Sequence, residues 1–215
     1  MIILGIHTAG PACELAVLGP DAGLTQRREE MIRGQDARLP GLVTSVLAKA
    51  DIRLDQVDRF AVITGPGSFT GIRVGVAFAR GLALATGRPA IGVTSLEASL
   101  PEGQQGSALV ALPAQKRPPD LTFWTQSFRS GTATDAPLEL SLDQLQARLI
   151  SHPHMLYGDE TALAPHIRDQ PIRAAAPSAA RAAALAAEFD PELHPARPVY
   201  ARAPDAALPK AKARP

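Results

Sequence analysis

Residues 63–75 read ITGPGSFTGIRVG, and this stretch decides the fold. Its first residues close a short apolar run, its middle is a glycine-rich turn, and its end opens a long apolar segment. A strand, a tight turn and a helix in this order are typical of α/β folds. We predict a helix from about residue 71 to 86, ended by Gly87 and by the proline two residues later.

Outward from this stretch, the apolar pattern predicts four more strands and a second long helix. The predicted strands are residues 2–7, 12–18, 24–31, 60–64 and 90–93, and the amphipathic helix covers residues 36–50. A third helix would start behind the capping box at residues 94–97. The resulting β-β-β-α-β-α-β-α order resembles the ribonuclease H-like unit, which recurs in pairs in the actin and sugar-kinase superfamily.

The second half repeats these signals more weakly after a polar linker at residues 101–106. We expect a first unit over residues 1–100, a smaller α/β unit over 101–203 and a mobile tail over 204–215. The smaller unit is predicted to hold strands at 108–112, 121–128, 155–157 and around Ile172, with helices at 142–150, 161–167 and 179–189.

Composition excludes several classes of protein. The 215 residues hold 22 Lys and Arg against 21 Asp and Glu, a net charge of +1, so the chain is no cationic nucleic-acid coat. One cysteine excludes both an intrachain disulfide scaffold and a paired-cysteine metal site. The N-terminus has no basic leader, and no stretch approaches the ~18 apolar residues of a membrane span. We therefore expect a cytoplasmic protein without a membrane segment.

The turn before the long helix has two interpretations. Free amides at a helix N-terminus favour an anion, which predicts a phosphate-binding loop at Gly65, Gly67, Ser68 and Thr70. The alternative is a tight turn that needs glycine geometry. The loop is not a Walker A motif, because no lysine followed by serine or threonine closes it.

The long helix is apolar nearly all round, so we expect it to be buried on more than one side. Gly71, Gly75, Ala79 and Ala83 recur every four residues and would let another element approach the backbone. One side must face the sheet. The other could be covered by the second unit, by the helix at 36–50 or by another chain, which we favour.

Signals for a catalytic centre are weak. His152 and His154 are close, but a proline separates them and no third ligand is near, which favours a surface turn. The other histidines are isolated, and Ser68 has no base next to it in the sequence. The basic residues of the tail could touch a phosphate backbone, but a solvated chain end is the simpler interpretation.

Several motifs resemble the TsaB (YeaZ) family. These are ILGIHT at residues 3–8, GPGSFTGIR within 63–75, IGVTSLEA at 91–98 and, more weakly, PVYARAP at 198–204. The resemblance implies two ribonuclease H-like domains of the actin-like ATPase (ASKHA) superfamily, the second one reduced. It also implies a non-catalytic subunit needed to make threonylcarbamoyladenosine beside the anticodon of tRNAs that read codons beginning with A.

The resemblance further implies the partners of this subunit. A homologous TsaD-like subunit would carry the metal-binding histidines and the catalytic centre, a TsaE-like ATPase would complete the assembly, and tRNA would bind through the complex. No cofactor would be tightly bound, with ATP or ADP entering at the level of the complex. The two long helices would form a bundle with TsaD or, in isolation, a homodimer. The predicted interface is Leu39, Leu42, Val43, Val46, Gly71, Ile72, Arg73, Gly75, Val76, Ala79, Arg80, Leu82 and Ala83.

Two positions depart from the family. Its first strand ends in aspartate where this chain has His7, and its second domain starts with an Asp-Ala-Arg segment where this chain has LPAQ at residues 112–115. Acidic residues at these strand ends help actin-like ATPases to hold a metal-bound nucleotide. Their absence here favours the interpretation of the chain as a non-catalytic scaffold. The alternatives are an autonomous actin-like ATPase, kinase or peptidase, and a homodimeric module that binds nucleotide.

Overall fold

A computed structural model describes residues 1–21, 23–31, 33–115, 121–151 and 155–199. Five strands form the first sheet in the order β3-β2-β1-β4-β5, with β1 to β3 antiparallel and β1, β4 and β5 parallel. This is the strand order of a ribonuclease H-like unit. The bounds are β1 Ile3–His7, β2 Ala12–Gly19, β3 Gly23–Glu30, β4 Arg59–Ile63 and β5 Ala90–Val93.

Helices cover both faces of the first sheet. Helices α1 (Gln35–Lys49) and α2 (Phe69–Thr86) lie on one face, against β2 and β4 respectively. Helix α5 (Ala179–Glu188) lies on the other face and contacts β1, β2 and β4. The central strands are therefore buried on both sides, which explains why β1 is apolar up to its last residue.

The second sheet repeats the pattern with fewer helical residues. Its order is β11-β10-β6-β7-β8, with β9 also paired to β7, and β6 pairs antiparallel with β7 and parallel with β10. Its elements are β6 Ser107–Gln115, β7 Thr122–Arg129, β8 Thr132–Ala133, β9 Leu138–Ser141, α3 Leu142–Ser151, β10 Met155–Gly158, α4 Glu160–Leu163 and β11 Ile172–Ala174.

The predicted α/β class is confirmed, and the strands of the first half agree with the prediction to within one residue at each end. The capping box at residues 94–97 forms, but a short 3-10 turn follows it instead of a helix. Strands β8 and β9 were not predicted, because they are only two and four residues long. The helix predicted at 161–167 is the single turn of α4.

The place of α5 corrects the predicted division of the chain. We assigned residues 179–189 to the second unit, but they pack on the first sheet. The fit is close, because a Cβ atom at Gly5 would lie 2.1 Å from the Ala179 carbonyl oxygen. The following segment also returns to the first sheet, where Val199 donates its N–H to the Thr64 carbonyl at 2.9 Å.

Charged side chains of the first sheet fix both ends of α5. The Glu14 carboxylate accepts the backbone N–H of Ala179 at 2.9 Å, at the helix N-terminus. The Arg59 guanidinium donates to the carbonyls of Ala186 and Phe189, both at 2.8 Å, at the C-terminus. Each charge has the sign that the helix dipole favours at that end.

Candidate functional site

The turn of the sequence motif is packed against the turn after β1. Ser68 begins α2 as its N-cap, with its hydroxyl accepting the Gly71 N–H, and its own N–H donates to the Ala9 carbonyl at 2.8 Å. A Cβ atom at Gly67 would lie 2.6 Å from that same carbonyl. The close approach explains the glycine and supports the tight-turn interpretation. Anion binding at Gly65, Gly67, Ser68 and Thr70 stays a prediction.

The small-residue face of α2 packs on the chain's own sheet, whereas the predicted interface placed Gly71, Gly75 and Ala79 against a partner. A Cβ atom at Gly71 would lie 1.9 Å from the Thr8 carbonyl oxygen, and one at Gly75 would lie 2.4 Å from the Thr8 hydroxyl. That hydroxyl donates to the Gly71 carbonyl at 2.7 Å. Ala79 is fully buried on the same side. The two glycines let the first turns of α2 lie directly against Thr8, the residue after β1.

Most of the predicted interface residues are core residues. The apolar side chains of α1 in that set are buried under the helix, because they form its contact with the sheet. Among the predicted residues of α2, Arg73 and Arg80 are exposed, and Leu82 and Ala83 are half-buried. The buried ones are Leu39, Leu42, Val43, Val46, Gly71, Ile72, Gly75, Val76 and Ala79.

The outward face of α2 is apolar at positions that the prediction did not select. Leu84 is 88% exposed and Phe69 is 43% exposed, although large apolar side chains are usually covered. Val74 and Phe78 are half-buried beside them. The Arg73 guanidinium stacks over the Phe69 ring at 3.8 Å from its centroid. These residues could have been found from the sequence, because they are apolar and lie away from the small-residue face.

Helix α2 is also long and apolar enough, by length and composition alone, to cross a membrane. This corrects the expectation that no segment approaches such a span. The buried helix of a water-soluble α/β protein passes the same test. Here Gly71, Gly75 and Ala79 pack directly on the sheet.

A cavity of about 670 Å³ separates the two sheets at the end of β1. His7 is 4% exposed on its wall, and its Nδ1 atom has no hydrogen-bond partner among the described residues. Burial, with the Arg28 charge as a smaller cause, lowers the pKa of His7 to about 4, so its imidazole is neutral near pH 7. The cavity is lined by His7, Gly10, Arg28, Trp124, Asp159 and Glu160, among others.

The residues around His7 do not fit a metal nucleotide. Glu14, the carboxylate opposite His7 in the β1–β2 ladder, binds the Arg28 guanidinium at 3.2 Å and the Ala179 N–H at 2.9 Å. A neutral imidazole and a carboxylate already held by an arginine leave the end of β1 without a free anionic ligand. No group of three His, Cys, Asp or Glu residues that could hold a metal occurs in the described parts of the chain.

Two predicted features lie outside the described residues. These are the pair His152 and His154, and the tail at residues 204–215 with its basic positions.

Comparison with known proteins gives partial sequence matches to TsaB and TsaD proteins. A family model described as "TsaD: tRNA N6-adenosine threonylcarbamoyltransferase" matches residues 29–115. The tRNA threonylcarbamoyladenosine biosynthesis protein TsaB of Escherichia coli (strain K12) is 38% identical over 96 residues, which cover 45% of this chain and 41% of that protein. A tRNA N6-adenosine threonylcarbamoyltransferase of Gluconobacter oxydans is 47% identical over 62 residues, or 29% of this chain and 17% of that protein.

The fold is also that of a solved relative. YeaZ from Pseudomonas aeruginosa superposes with a TM-score of 0.71 at 24% identity, covering 93% of this chain and 99% of that chain. The prediction of a TsaB (YeaZ) relative is confirmed. The aligned segment spans about two fifths of the length of the E. coli TsaB protein. The range that the TsaD family model matches, residues 29–115, includes both α1 and α2.

Proposed function

We propose that this chain is a non-catalytic, cytoplasmic subunit in tRNA threonylcarbamoyladenosine biosynthesis. It would bind and stabilise a TsaD-like subunit through α2, with a TsaE-like ATPase completing the complex and tRNA bound through it. The sequence matches to TsaB and TsaD proteins support this pathway. We also propose that each of the two sheets, with the helices packed on it, forms one ribonuclease H-like domain, and that the second domain is reduced.

The observation that carries the proposal is the exposed apolar face of α2. Leu84 and Phe69 protrude from a helix whose opposite side is packed on the sheet. We propose that a partner covers these two side chains, because exposed apolar surface marks sites of protein interaction. Helices of a homologous subunit can pack against such a face, because they present a similar surface.

The residues at the cavity support a subunit without its own chemistry. His7 and Glu14 would be the acid–base candidates at the end of β1, but one is buried and neutral and the other caps α5. We therefore expect the isolated chain to neither hydrolyse ATP nor modify tRNA above background. Turnover by the purified chain that disappears in a His7→Ala variant would contradict this part of the proposal.

The partner role is tested by binding of the TsaD-like subunit of the same organism. The test variant is Leu84→Ser on α2, and the matched control is Ile150→Ser on α3, since Ile150 is 86% exposed. We expect calorimetry to show at least a tenfold higher Kd for Leu84→Ser and no change for the control, because an interface anchor is lost only in the first. Absence of any complex with the unmodified chain would refute the proposal, and an equal effect of both variants would refute the role of α2.

A further inference from the structure

The cavity between the two sheets contains a polar side chain that the described residues leave unsatisfied. The Nδ1 atom of His7 is buried and has no hydrogen-bond partner among them. The other ring nitrogen, Nε2, lies beside Gly10, where a Cβ atom would come within 3.2 Å of it, so the glycine keeps this side of the imidazole open. The neutral imidazole can both donate and accept a hydrogen bond. The Arg28 charge opposes protonation of this ring, and it opposes a cationic ligand there for the same reason.

The charged groups around the cavity also disfavour an anion. The Arg28 guanidinium lines the cavity, but Glu14 at 3.2 Å and Glu30 at 2.7 Å already bind it. Asp159 and Glu160 line the cavity from the second half of the chain. These carboxylates outnumber the cation and repel a phosphate. The described residues form no group of three His, Cys, Asp or Glu that could hold a metal to offset this repulsion.

The rest of the wall offers apolar surface for a flat ring. Trp124 of β7 is half-buried at the cavity, and Pro66 and Pro113 line it from the two halves of the chain. Aromatic side chains stack on flat rings, and nucleobases of every kind present such a face. A volume of about 670 Å³ lies in the range of small-molecule sites, which are mostly apolar with a few placed polar groups.

We infer that this cavity binds an uncharged nitrogen heterocycle, for which an unphosphorylated nucleoside is the probe, and that it rejects nucleotides. The ring stacks on Trp124 and forms a hydrogen bond with the His7 imidazole, so the ligand joins the two halves of the chain. This preference is the reverse of the metal nucleotide that actin-like ATPases hold, because the residues at the end of β1 do not fit that group. The inference does not depend on the proposed function, since it involves no residue of α2.

The fluorescence of Trp124 reports on this cavity, because the chain has one tryptophan. We expect at least one of adenosine, guanosine, cytidine and uridine, added to the full chain at millimolar concentration, to bind in calorimetry and to change this emission. Its di- and triphosphate, with and without Mg²⁺, should bind at least about tenfold more weakly. The inference is overturned if no nucleoside binds, if binding leaves the emission unchanged, or if a nucleotide binds as tightly as its nucleoside.

Gly10→Ala tests whether the space beside His7 is the site. The added methyl group would crowd Nε2, so the affinity for the nucleoside should fall at least about tenfold. The matched control is Gly41→Ala on the exposed side of α1, where a Cβ atom meets nothing within 4 Å and binding should not change. Thermal denaturation without ligand checks that both variants fold.

His7→Phe gives the same test without added bulk beside Gly10, and it applies even where Gly10→Ala does not fold. It keeps an apolar ring and removes both ring nitrogens, so the nucleoside should again bind about tenfold more weakly. Unchanged affinity in His7→Phe or in a folded Gly10→Ala would refute the site, and so would an equal loss in Gly41→Ala.

Discussion

The two sheets share a strand order but differ in what covers them. The first supports one continuous core of apolar side chains from both of its faces, to which α1, α2 and α5 all contribute. The core of the second is divided into two smaller clusters, one under α3 and α4 and one under the segment around Leu96 and Leu100. The position of α2 corresponds in the second half to the four-residue α4.

The comparison shows that strand order and interaction surface are separate properties. Each sheet has a helix after the strand that pairs parallel with its central strand, α2 after β4 and α4 after β10, but only α2 is long enough to offer an outward face. The first half also keeps α5, supplied by the end of the chain, so its stability depends on contacts between distant residues. We expect perturbations of the first half to have the larger effects.

The largest effect is expected from Gly75→Leu, at the contact between α2 and β1. A Cβ atom there would lie 2.4 Å from the Thr8 hydroxyl, so a leucine must displace the helix. Overpacking of this kind should lower the free energy of unfolding by about 3 kcal/mol or more. Urea denaturation measures the change. A variant of unchanged stability that fails to bind its partner would restore the interface that we first predicted for Gly75.

A comparable effect is expected from pH through His7. Its pKa is about 4 in the folded chain and 6.5 in the unfolded chain, so the unfolded state binds more protons between these values. The stability contributed by the neutral imidazole is complete above pH 6.5 and is lost as the pH falls to about 4. At about 1.4 kcal/mol for each pKa unit, the loss is about 3 kcal/mol.

Denaturation of the wild type and His7→Gln at pH 7, 6, 5 and 4 isolates this contribution from that of the carboxylates. The difference in unfolding free energy between the two proteins should shift with pH in favour of the variant as acid is added. A constant difference would show that His7 is not buried in the neutral form.

A smaller effect is expected at the ends of α5. Glu14→Ala leaves the buried N–H of Ala179 without its acceptor and should cost about 1–3 kcal/mol. Glu14→Gln keeps an acceptor oxygen and should cost less. If both variants lose the same stability in thermal denaturation, the stabilising feature is the charge of Glu14 beside Arg28 and not its hydrogen bond to α5.

The smallest effect is expected from Gly81→Ala, in the same helix as Gly75 but on its exposed side. A Cβ atom at Gly81 meets nothing within 4 Å. Alanine should therefore stabilise the protein by up to about 1 kcal/mol through helix propensity. A loss of stability, measured as a lower Tm, would mean that both sides of α2 are packed within the chain.

Local features of the sequence predicted most elements well. Gly87 ends α2 as predicted, although the helix starts at Phe69, two residues before the predicted start. Ser178 caps α5, and Ser141 with Gln144 caps α3. These signals act within a few residues, so they can be recognised without the fold. The short strands β8 and β9 carry no such signal, because pairing with β7 rather than their composition makes them strands.

The candidate site was predicted less well, because a helix that is apolar on every side does not reveal which side meets the sheet. We took the glycines of α2 for an intersubunit contact, but they accommodate Thr8, 63 and more residues earlier in the chain. Leu84 and Phe69 became candidates only when the opposite face was seen to be occupied. The sequence singled out α2 as the candidate interface helix, but it did not single out Leu84 and Phe69 as the residues exposed on it.

The sequence by itself determined the strands and the two long helices of the first half, and the resemblance to TsaB. Each depends on periodicity, capping or a local motif. Only the tertiary structure decided that α5 belongs to the first sheet, held at its ends by Glu14 and Arg59, and that α2 turns Gly71 and Gly75 inward. These outcomes depend on side chains more than a hundred residues apart, or on which of two apolar faces packs more closely, and neither has a local signature.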